Sequence, residues 1–323
     1  MSANSVPDKW DATRIQSLKN KLAVITGANS GVGYETALEL ARKGADVVLA
    51  CRSEAKGAEA VEKIQQELAK TADAGKVEFM KLDVSDLSSV KNFSEEFRKT
   101  HERLDLLINN AGIMAVPYSK TVDGLESQMA TNHLGHFALT AQLFDVLKAS
   151  SPSRIVNVSS LAHRDAREFD EKLLDADEKK YDTWSVYANS KLANILTTAE
   201  LTRRMEASGV TGVTAVTCHP GLVASNLYIA PVEANSGIQS FIWRIKRNLP
   251  VYQSAQMGAL PTLYAATAPS VTNNQFFGPR GFKTFSGYPT LEDPSKASKS
   301  VDAARKMWET SEKLTGVKFE VTK

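Results

Sequence analysis

The sequence predicts an α/β fold in which one doubly wound parallel sheet carries helices on both faces. Short apolar runs alternate with longer amphipathic stretches, which is typical of strand–helix–strand units. Runs such as Leu22–Thr26 and 104–109 are apolar on both faces, as expected of parallel strands that helices cover on each side. Right-handed crossovers between such strands then give a doubly wound sheet.

The remaining elements follow the same rhythm. Further strands are predicted at 47–50, 77–82, 154–158, 213–217 and Phe276–Pro279. Helices are predicted at 32–43, 53–70, Leu87–Thr100, 124–148, Thr183–Ala207, 252–266 and 298–315. No Gly/Pro/Ser-rich linker or internal repeat divides the chain. We therefore expect a flexible N-terminal lead-in over residues 1–19 and a single domain over residues 20–323.

Two stretches depart from this rhythm. Residues 161–182 are highly charged and are interpreted as a solvated insertion. Residues 226–252 place an apolar stripe, including Phe241, Ile242 and Trp243, among basic side chains on a predicted short helix. This segment fits a helix packed on the core, a lid over the substrate or a peripheral contact with a membrane surface.

Composition indicates a folded protein and excludes several function classes. Of the 323 residues, 42% are hydrophobic and 24% are charged, which is average for a globular chain. The 39 basic and 37 acidic residues leave a net charge of +2, so no broad positive field favours nucleic acid as a partner. No apolar run reaches the roughly 18 residues of a membrane-spanning helix.

The two cysteines, Cys51 and Cys218, end separate predicted strands, so a disulfide between them is not expected. Reduced thiols are typical of an intracellular compartment. We therefore expect a cytoplasmic protein, with an organelle as the alternative. The sequence predicts no metal site.

A glycine-rich loop lies between the first predicted strand and the first helix. Gly27 permits a tight turn, Gly31 lets backbone N–H groups approach a pyrophosphate, and Gly33 allows close contact between helix and strand. Three glycines alone also mark an ordinary strand-to-helix turn. The position of the loop favours a dinucleotide site, for which the candidate residues are Gly27, Asn29, Ser30, Gly31, Val32 and Gly33.

The end of the second strand bears on the choice of dinucleotide. An NAD(H) site normally has an acidic residue there for the ribose hydroxyls, whereas an arginine pairs with a 2′-phosphate. Cys51 occupies the acidic position and Arg52 follows it. This favours NADP(H) over NAD(H); alternatively, Arg52 is an ordinary surface residue.

Two more strand ends carry turn residues that fit a cofactor site. After the fourth strand, small residues let the chain pass close to the cofactor, namely Asn110, Ala111 and Gly112, although the same residues also form simple turns. After the sixth strand, Pro220 and Gly221 turn the chain sharply. The Val223 backbone and the Ser225 hydroxyl are then free to hold a nicotinamide carboxamide.

The candidate catalytic residues are Ser160, Tyr187 and Lys191. Residues four apart share one helix face, so Tyr187 and Lys191 project together. A nearby ammonium stabilises a phenolate and lowers its pKa from about 10. The pair alone also fits a surface contact. Ser160 ends a strand at the expected ligand crevice and can hydrogen-bond a substrate oxygen.

Asn132 lies in the middle of a predicted helix, where it is a poor helix former. Its amide would either bend the helix or hold a water molecule. The neighbouring His133 and His136 are interpreted as packing or surface residues.

The motifs T-G-A-N-S-G-V-G, N-N-A-G, N-H-L-G-H-F, V-N-V-S-S, Y-A-N-S-K and H-P-G occur in this order. Over residues 20–225 the chain resembles the short-chain dehydrogenase/reductase family, and L-A-C-R, V-N-V-S-S-L-A-H and S-K-L-A-N-I-L resemble its retinol dehydrogenase and WW-domain oxidoreductase branch. The chain shows neither the hydrophobic anchor common in retinol dehydrogenases nor a WW domain.

This resemblance implies a Rossmann-type fold and an NADP(H)-dependent oxidoreductase. It further implies that Asp83 and Val84 contact the adenine, that Lys191 binds the nicotinamide ribose, and that Asn132 connects a proton-relay water to Lys191. An aspartate before a helix is also a common N-cap, a role that Asp86 or Ser85 could serve as well. The expected substrate is a small lipophilic carbonyl, such as a retinoid or steroid, or its alcohol, and the chain is expected to form a homo-oligomer in common with many members. A regulator or scaffold that binds NADP(H) with little catalysis is the alternative.

Overall fold

One eight-stranded sheet organises the protein, whose computed structural model describes residues 6–175, 178–223 and 252–323. The strand order is β3-β2-β1-β4-β5-β6-β7-β8; β1 to β7 are parallel and β8 is antiparallel to β7. The strands are β1 (Leu22–Thr26), β2 (Asp46–Cys51), β3 (Val77–Lys81), β4 (Leu106–Asn109), β5 (Ser153–Val158), β6 (Val213–Cys218), β7 (Phe276–Pro279) and β8 (Pro289–Glu292). The predicted doubly wound sheet is confirmed.

The helices are α1 (Gly31–Arg42), α2 (Glu54–Leu68), α3 (Leu87–Thr100), α4 (Ser127–Met129), α5 (Gly135–Ala149), α6 (Thr183–Ala207), α7 (Ala255–Thr267) and α8 (Val301–Thr315). They cover both faces of the sheet. Alternate residues of β1 enter different cores: Ala23 and Ile25 pack with the side of α1 and α7, and Val24 packs with the side of α3 and α5. No helix in these ranges has the length and apolarity needed to cross a membrane.

The helix predicted at 124–148 is divided. A π-helical turn, Ala130–Leu134, separates α4 from α5. Gly135 then begins α5 against the backbone after β3, where a Cβ atom would lie 1.8 Å from the Val84 carbonyl oxygen. The break places Asn132 inside the π-helical turn, which agrees with the expectation that this residue interrupts the helix.

Two expectations need correction, and one strand was not predicted. The residues predicted as a flexible lead-in are packed from Val6 onward: Trp10 and Ile15 are buried, and the Trp10 ring lies 5.0 Å from that of Tyr264 on α7. The stretch predicted as a solvated insertion is not simply solvated, because Ala162 and His163 are buried. Strand β8 was not predicted; it is short, begins with proline and lies at the sheet edge.

The carboxyl ends of β1, β4, β5 and β6 lie side by side, because these strands are parallel neighbours. The loops that follow them carry the predicted cofactor and catalytic residues. The fold therefore brings together at one edge segments that are far apart in the sequence.

Candidate functional site

The glycine-rich loop forms a tight cradle between β1 and α1. Gly27 and Gly31 have φ values of +65° and +59°, which glycine adopts without strain. A Cβ atom on Gly33 would lie 2.5 Å from Asn110 Nδ2. Ser30 precedes α1 but makes no side-chain capping hydrogen bond, so the first-turn N–H groups of the helix face the loop without that partner. Such a helix start fits a pyrophosphate, as the sequence predicted.

Thr26 joins this loop to the turn after β4. Its hydroxyl oxygen accepts hydrogen bonds from the backbone N–H groups of Asn110 and Ala111, each at 2.9 Å. It also lies 2.8 Å from His136 Nε2 on α5. The Asn110 amide donates back to the Thr26 carbonyl at 2.9 Å. The buried His136 thus has a specific polar partner, which its helical position alone did not indicate.

At the end of β2, a neutral thiol and an exposed guanidinium stand side by side. Cys51 is buried below the glycine loop, where burial raises the pKa of its thiol to about 11. The backbone N–H groups of Ala28 and Asn29 point at this thiol. The Arg52 side chain is 78% exposed, and its Nε lies 3.9 Å from Asp83 Oδ2. Both cysteines are free, as expected.

Asp83 and Val84 follow β3. The Asp83 carboxylate accepts hydrogen bonds from the Ser85 N–H and hydroxyl groups at 3.0 and 2.6 Å. Asp86, not Asp83, caps α3 by accepting from the backbone N–H groups of its first turn. Capping the helix therefore does not account for Asp83.

Ser160, Tyr187 and Lys191 come together at the ends of β5 and α6. Tyr187 and Lys191 are buried one helical turn apart, and the Ser160 side chain lies close enough to the Tyr187 phenol to lower its pKa, against the larger effect of burial. Burial raises the pKa of Tyr187 to about 12 and lowers the pKa of Lys191 to about 8. The sequence argument expected Lys191 to lower the pKa of Tyr187; in the structure the lowering contact is Ser160, burial outweighs it, and the phenol is protonated near neutral pH.

Asn132 ties the turn after β4 to α6. Its Oδ1 accepts from the Ile113 N–H at 2.8 Å, and its Nδ2 donates to the Ile113 carbonyl and the Ser190 hydroxyl, both at 2.9 Å. A Cβ atom on Gly112 would lie 3.1 Å from Asn132 Oδ1 and 3.3 Å from Lys191 Nζ. A side chain at residue 112 would therefore require the Asn132 and Lys191 side chains to shift by a few tenths of an ångström. The proton-relay role of Asn132 stays a prediction.

The turn after β6 is held by a residue that the sequence did not single out. Gln253 donates from its Nε2 to the Pro220 carbonyl at 2.6 Å and pairs in parallel with the buried Val223. Gly221 has a φ of +69°, and a Cβ atom there would lie 2.3 Å from the Phe285 carbonyl oxygen. No local pattern marks Gln253, because its contacts are 30 residues or more away.

Some predictions fall outside the structure or concern its ligands. Ser225 and residues 226–251 of the predicted lid lie outside the described residues. Across the parts of the chain that are described, no three His, Cys, Asp or Glu side chains form a group able to hold a metal ion.

Comparisons with known proteins give a matching family model, similar proteins and similar solved structures. The model of the short chain dehydrogenase family matches residues 21–170. Retinol dehydrogenase 12 of Homo sapiens is 40% identical over 308 residues, which cover 95% of this chain and 90% of that protein. The crystal structure of an uncharacterized protein from Mycobacterium Paratuberculosis is 39% identical, with a TM-score of 0.77, and the match covers 97% of this chain and 99% of that chain.

A third match is more distant and holds a ligand. It is a protein from Beutenbergia cavernae, described as an NAD(P) dependent gluconate 5-dehydrogenase, with NADP bound at low occupancy. It is 26% identical, with a TM-score of 0.58, and the match covers 80% of this chain and 95% of that chain.

We expect Thr26→Val to destabilise the protein by about 2 kcal/mol or more, because it leaves two buried N–H groups and His136 Nε2 without their partner. Thr26→Ser keeps the hydroxyl and loses one methyl group, which costs about 1 kcal/mol. Urea unfolding of both variants measures the difference. A valine variant as stable as the serine variant would contradict the role assigned to this hydroxyl.

Proposed function

The chain belongs to the short-chain dehydrogenase/reductase family, in the branch of the retinol dehydrogenases, and we propose that it interconverts a lipophilic aldehyde or ketone and its alcohol with NADP(H). Family membership makes it an oxidoreductase of alcohols and carbonyls. The observation that carries the proposal is the meeting of Ser160, Tyr187 and Lys191 beside the glycine cradle.

In the proposed reduction, the Ser160 and Tyr187 hydroxyls hold the substrate carbonyl oxygen. Tyr187 is protonated near neutral pH, since burial raises its pKa to about 12, and it gives its proton to that oxygen. A bound nicotinamide dinucleotide supplies the hydride for reduction or accepts it in the reverse direction. Lys191, whose Nζ donates to the Val158 carbonyl at 3.2 Å, then stabilises the phenolate that remains.

Residues of this chain account for the proposed cofactor binding. Gly27, Gly31 and Gly33 give room for the pyrophosphate, and Lys191 and the turn from Pro220 to Val223 hold the nicotinamide end. Gly112 leaves space beside Lys191.

Arg52 and Cys51 support the choice of NADP(H) over NAD(H). The exposed guanidinium is available to pair with a 2′-phosphate, and the thiol beside it carries no negative charge that would repel one. The Beutenbergia cavernae protein, at 26% identity, holds NADP.

Trp184 supports a lipophilic substrate. Its side chain lies in the first turn of α6, and its ring centroid is 5.5 Å from that of Tyr187. The residue is 43% exposed, and Nε1 donates to Asp165 Oδ2 at 3.0 Å, which fixes the ring. A large exposed aromatic surface beside the proposed proton donor favours planar, apolar substrates.

We expect Tyr187→Phe to lower kcat by about 10²- to 10⁴-fold, because it removes the proposed acid. The variant and the unchanged protein are assayed with NADPH on a panel of aldehydes, ketones and quinones, and NADPH binding is measured by calorimetry. Tyr264→Phe, at an equally buried tyrosine on α7, is the control and keeps full activity. A Tyr187→Phe protein with normal turnover would refute the assignment. Tight NADPH binding with no turnover of any substrate by the unchanged protein would favour a regulator.

For Arg52→Gln we expect kcat/KM with NADPH to fall about tenfold or more, because one charge-assisted hydrogen bond to phosphate is lost. The value with NADH does not fall. Arg305→Gln, at a half-exposed arginine on α8, is the control. Equal losses with NADPH and NADH would show that Arg52 does not distinguish the two cofactors.

Trp184→Ala is expected to lower kcat/KM about tenfold for aromatic or long unsaturated aldehydes. Small aliphatic aldehydes, which do not reach the indole, keep their rates, and Trp184→Phe retains most of the preference. Steady-state rates with matched pairs of aldehydes test this. A uniform loss across all substrates would indicate that Trp184 supports the fold of α6 instead of the substrate.

A further inference from the structure

We propose that His163 and Glu292 are positioning residues. His163 fixes the Ser160 loop, and Glu292 fixes the turn from Pro220 to Val223. The edge strand β8 and the residues after it thereby orient both sides of the site. The proposal rests on the proposed function for the roles of Ser160 and of that turn.

His163 is anchored between Ser160 and the chain after β8. Its Nδ1 donates to the Ser160 carbonyl at 2.6 Å, and its Nε2 accepts from the Ser295 N–H at 3.2 Å. The residue is fully buried, and burial lowers its pKa to about 4, so the ring is neutral. These two contacts require one tautomer with the proton on Nδ1. The ring therefore fixes the backbone of Ser160, the residue whose side chain lies close enough to Tyr187 to lower the pKa of the phenol.

His219 performs the matching function on the next loop. It follows β6, its Nε2 donates to Glu292 Oε1 at 2.9 Å, and its Nδ1 accepts from the Gly221 N–H at 3.1 Å. The imidazole is completely buried, and the Glu292 side chain is only 5% exposed. A carboxylate on β8 thus fixes the ring that holds the turn proposed to contact the nicotinamide end.

The two loops are linked through the same strand. The second Glu292 oxygen accepts from Arg164, the residue after His163, at 2.7 Å. The Phe276 ring on β7 contacts both imidazoles, with centroids 5.1 Å from His163 and 5.4 Å from His219.

Glycine is required beside the hydrogen bond between His219 and Glu292. A Cβ atom on Gly278 would lie 2.0 Å from Glu292 Oε1 and 2.1 Å from His219 Nε2. The arrangement is thus specified at three positions outside the family motifs quoted above: Phe276, Gly278 and Glu292.

Two substitutions of similar polarity separate positioning from folding at residue 163. His163→Asn places an amide nitrogen at the same number of bonds from Cβ as Nδ1, and it retains the donor to Ser160. His163→Gln places its amide oxygen at the Nε2 position, where it accepts from the Ser295 N–H, so this variant retains the Ser295 contact and loses the Ser160 contact. We expect kcat to fall about 10- to 100-fold in the glutamine variant, because small misplacements of reacting groups cost this much. The asparagine variant recovers most of the rate.

NADPH binding and thermal unfolding complete the test. Both His163 variants keep the calorimetric Kd for NADPH, whereas Glu292→Gln raises that Kd about tenfold, since one charged hydrogen bond to the turn is weakened. The control is His101→Gln, at an imidazole that contacts Glu78 at the opposite end of the sheet; it changes neither kcat nor the Kd for NADPH. Equal kcat in the two His163 variants, or losses that follow the melting temperature alone, would overturn the proposal.

If the unchanged protein turns over no substrate, the proposed function fails. The Kd of the Glu292→Gln variant then still decides the half of the proposal that concerns the turn: a raised Kd supports that half, and an unchanged Kd overturns it.

Discussion

Close contact between two backbones is the constraint on which the site depends. The loop after β1 and the turn after β4 approach so nearly that a Cβ atom on Gly27 would lie 3.0 Å from Ala111 Cα. Such an approach buries backbone N–H groups, and each buried group needs a partner. The Thr26 hydroxyl serves two of them at once and is itself bonded to His136. The small side chains that allow this close approach and the Thr26 hydroxyl that pairs the N–H groups are therefore both needed for the site.

Burial also sets the charge state of the site. Tyr187 and Lys191 are both shifted toward their neutral forms, the phenol to a pKa of about 12 and the amine to about 8. Because both groups are buried, an incoming charge near either of them acts in a medium of low polarity and has a large effect. The protein thus sets up two groups whose protonation responds strongly to their neighbours.

Sequence reasoning succeeded where the signal was local. Strand β1 and helices α3 and α6 have the predicted bounds: β1 is a continuous apolar run that ends at the glycine loop, and Asp86 and Asp182 cap the two helices. The helix-face argument placed Tyr187 and Lys191 one turn apart on one helix, where both are buried. Sequence reasoning failed for the N-terminal residues, because Trp10 and Ile15 are too widely spaced to show a period. It also failed for β8, because the four residues Pro-Thr-Leu-Glu lack an apolar pattern. Gln253 and Glu292 owe their partners, and His163 owes its Ser295 contact, to contacts between distant segments, which no single-sequence pattern reveals.

The position of β8 in the chain affects the order in which the protein becomes complete. Ribosomes release the chain from its N-terminus, so residues 22–218, with every strand from β1 to β6, emerge before Glu292 does. Until then, His219 and Arg164 lack their shared carboxylate. A nascent chain can thus assemble the glycine loop early, but the loops after β5 and β6 reach their final arrangement only when the last antiparallel strand joins the sheet.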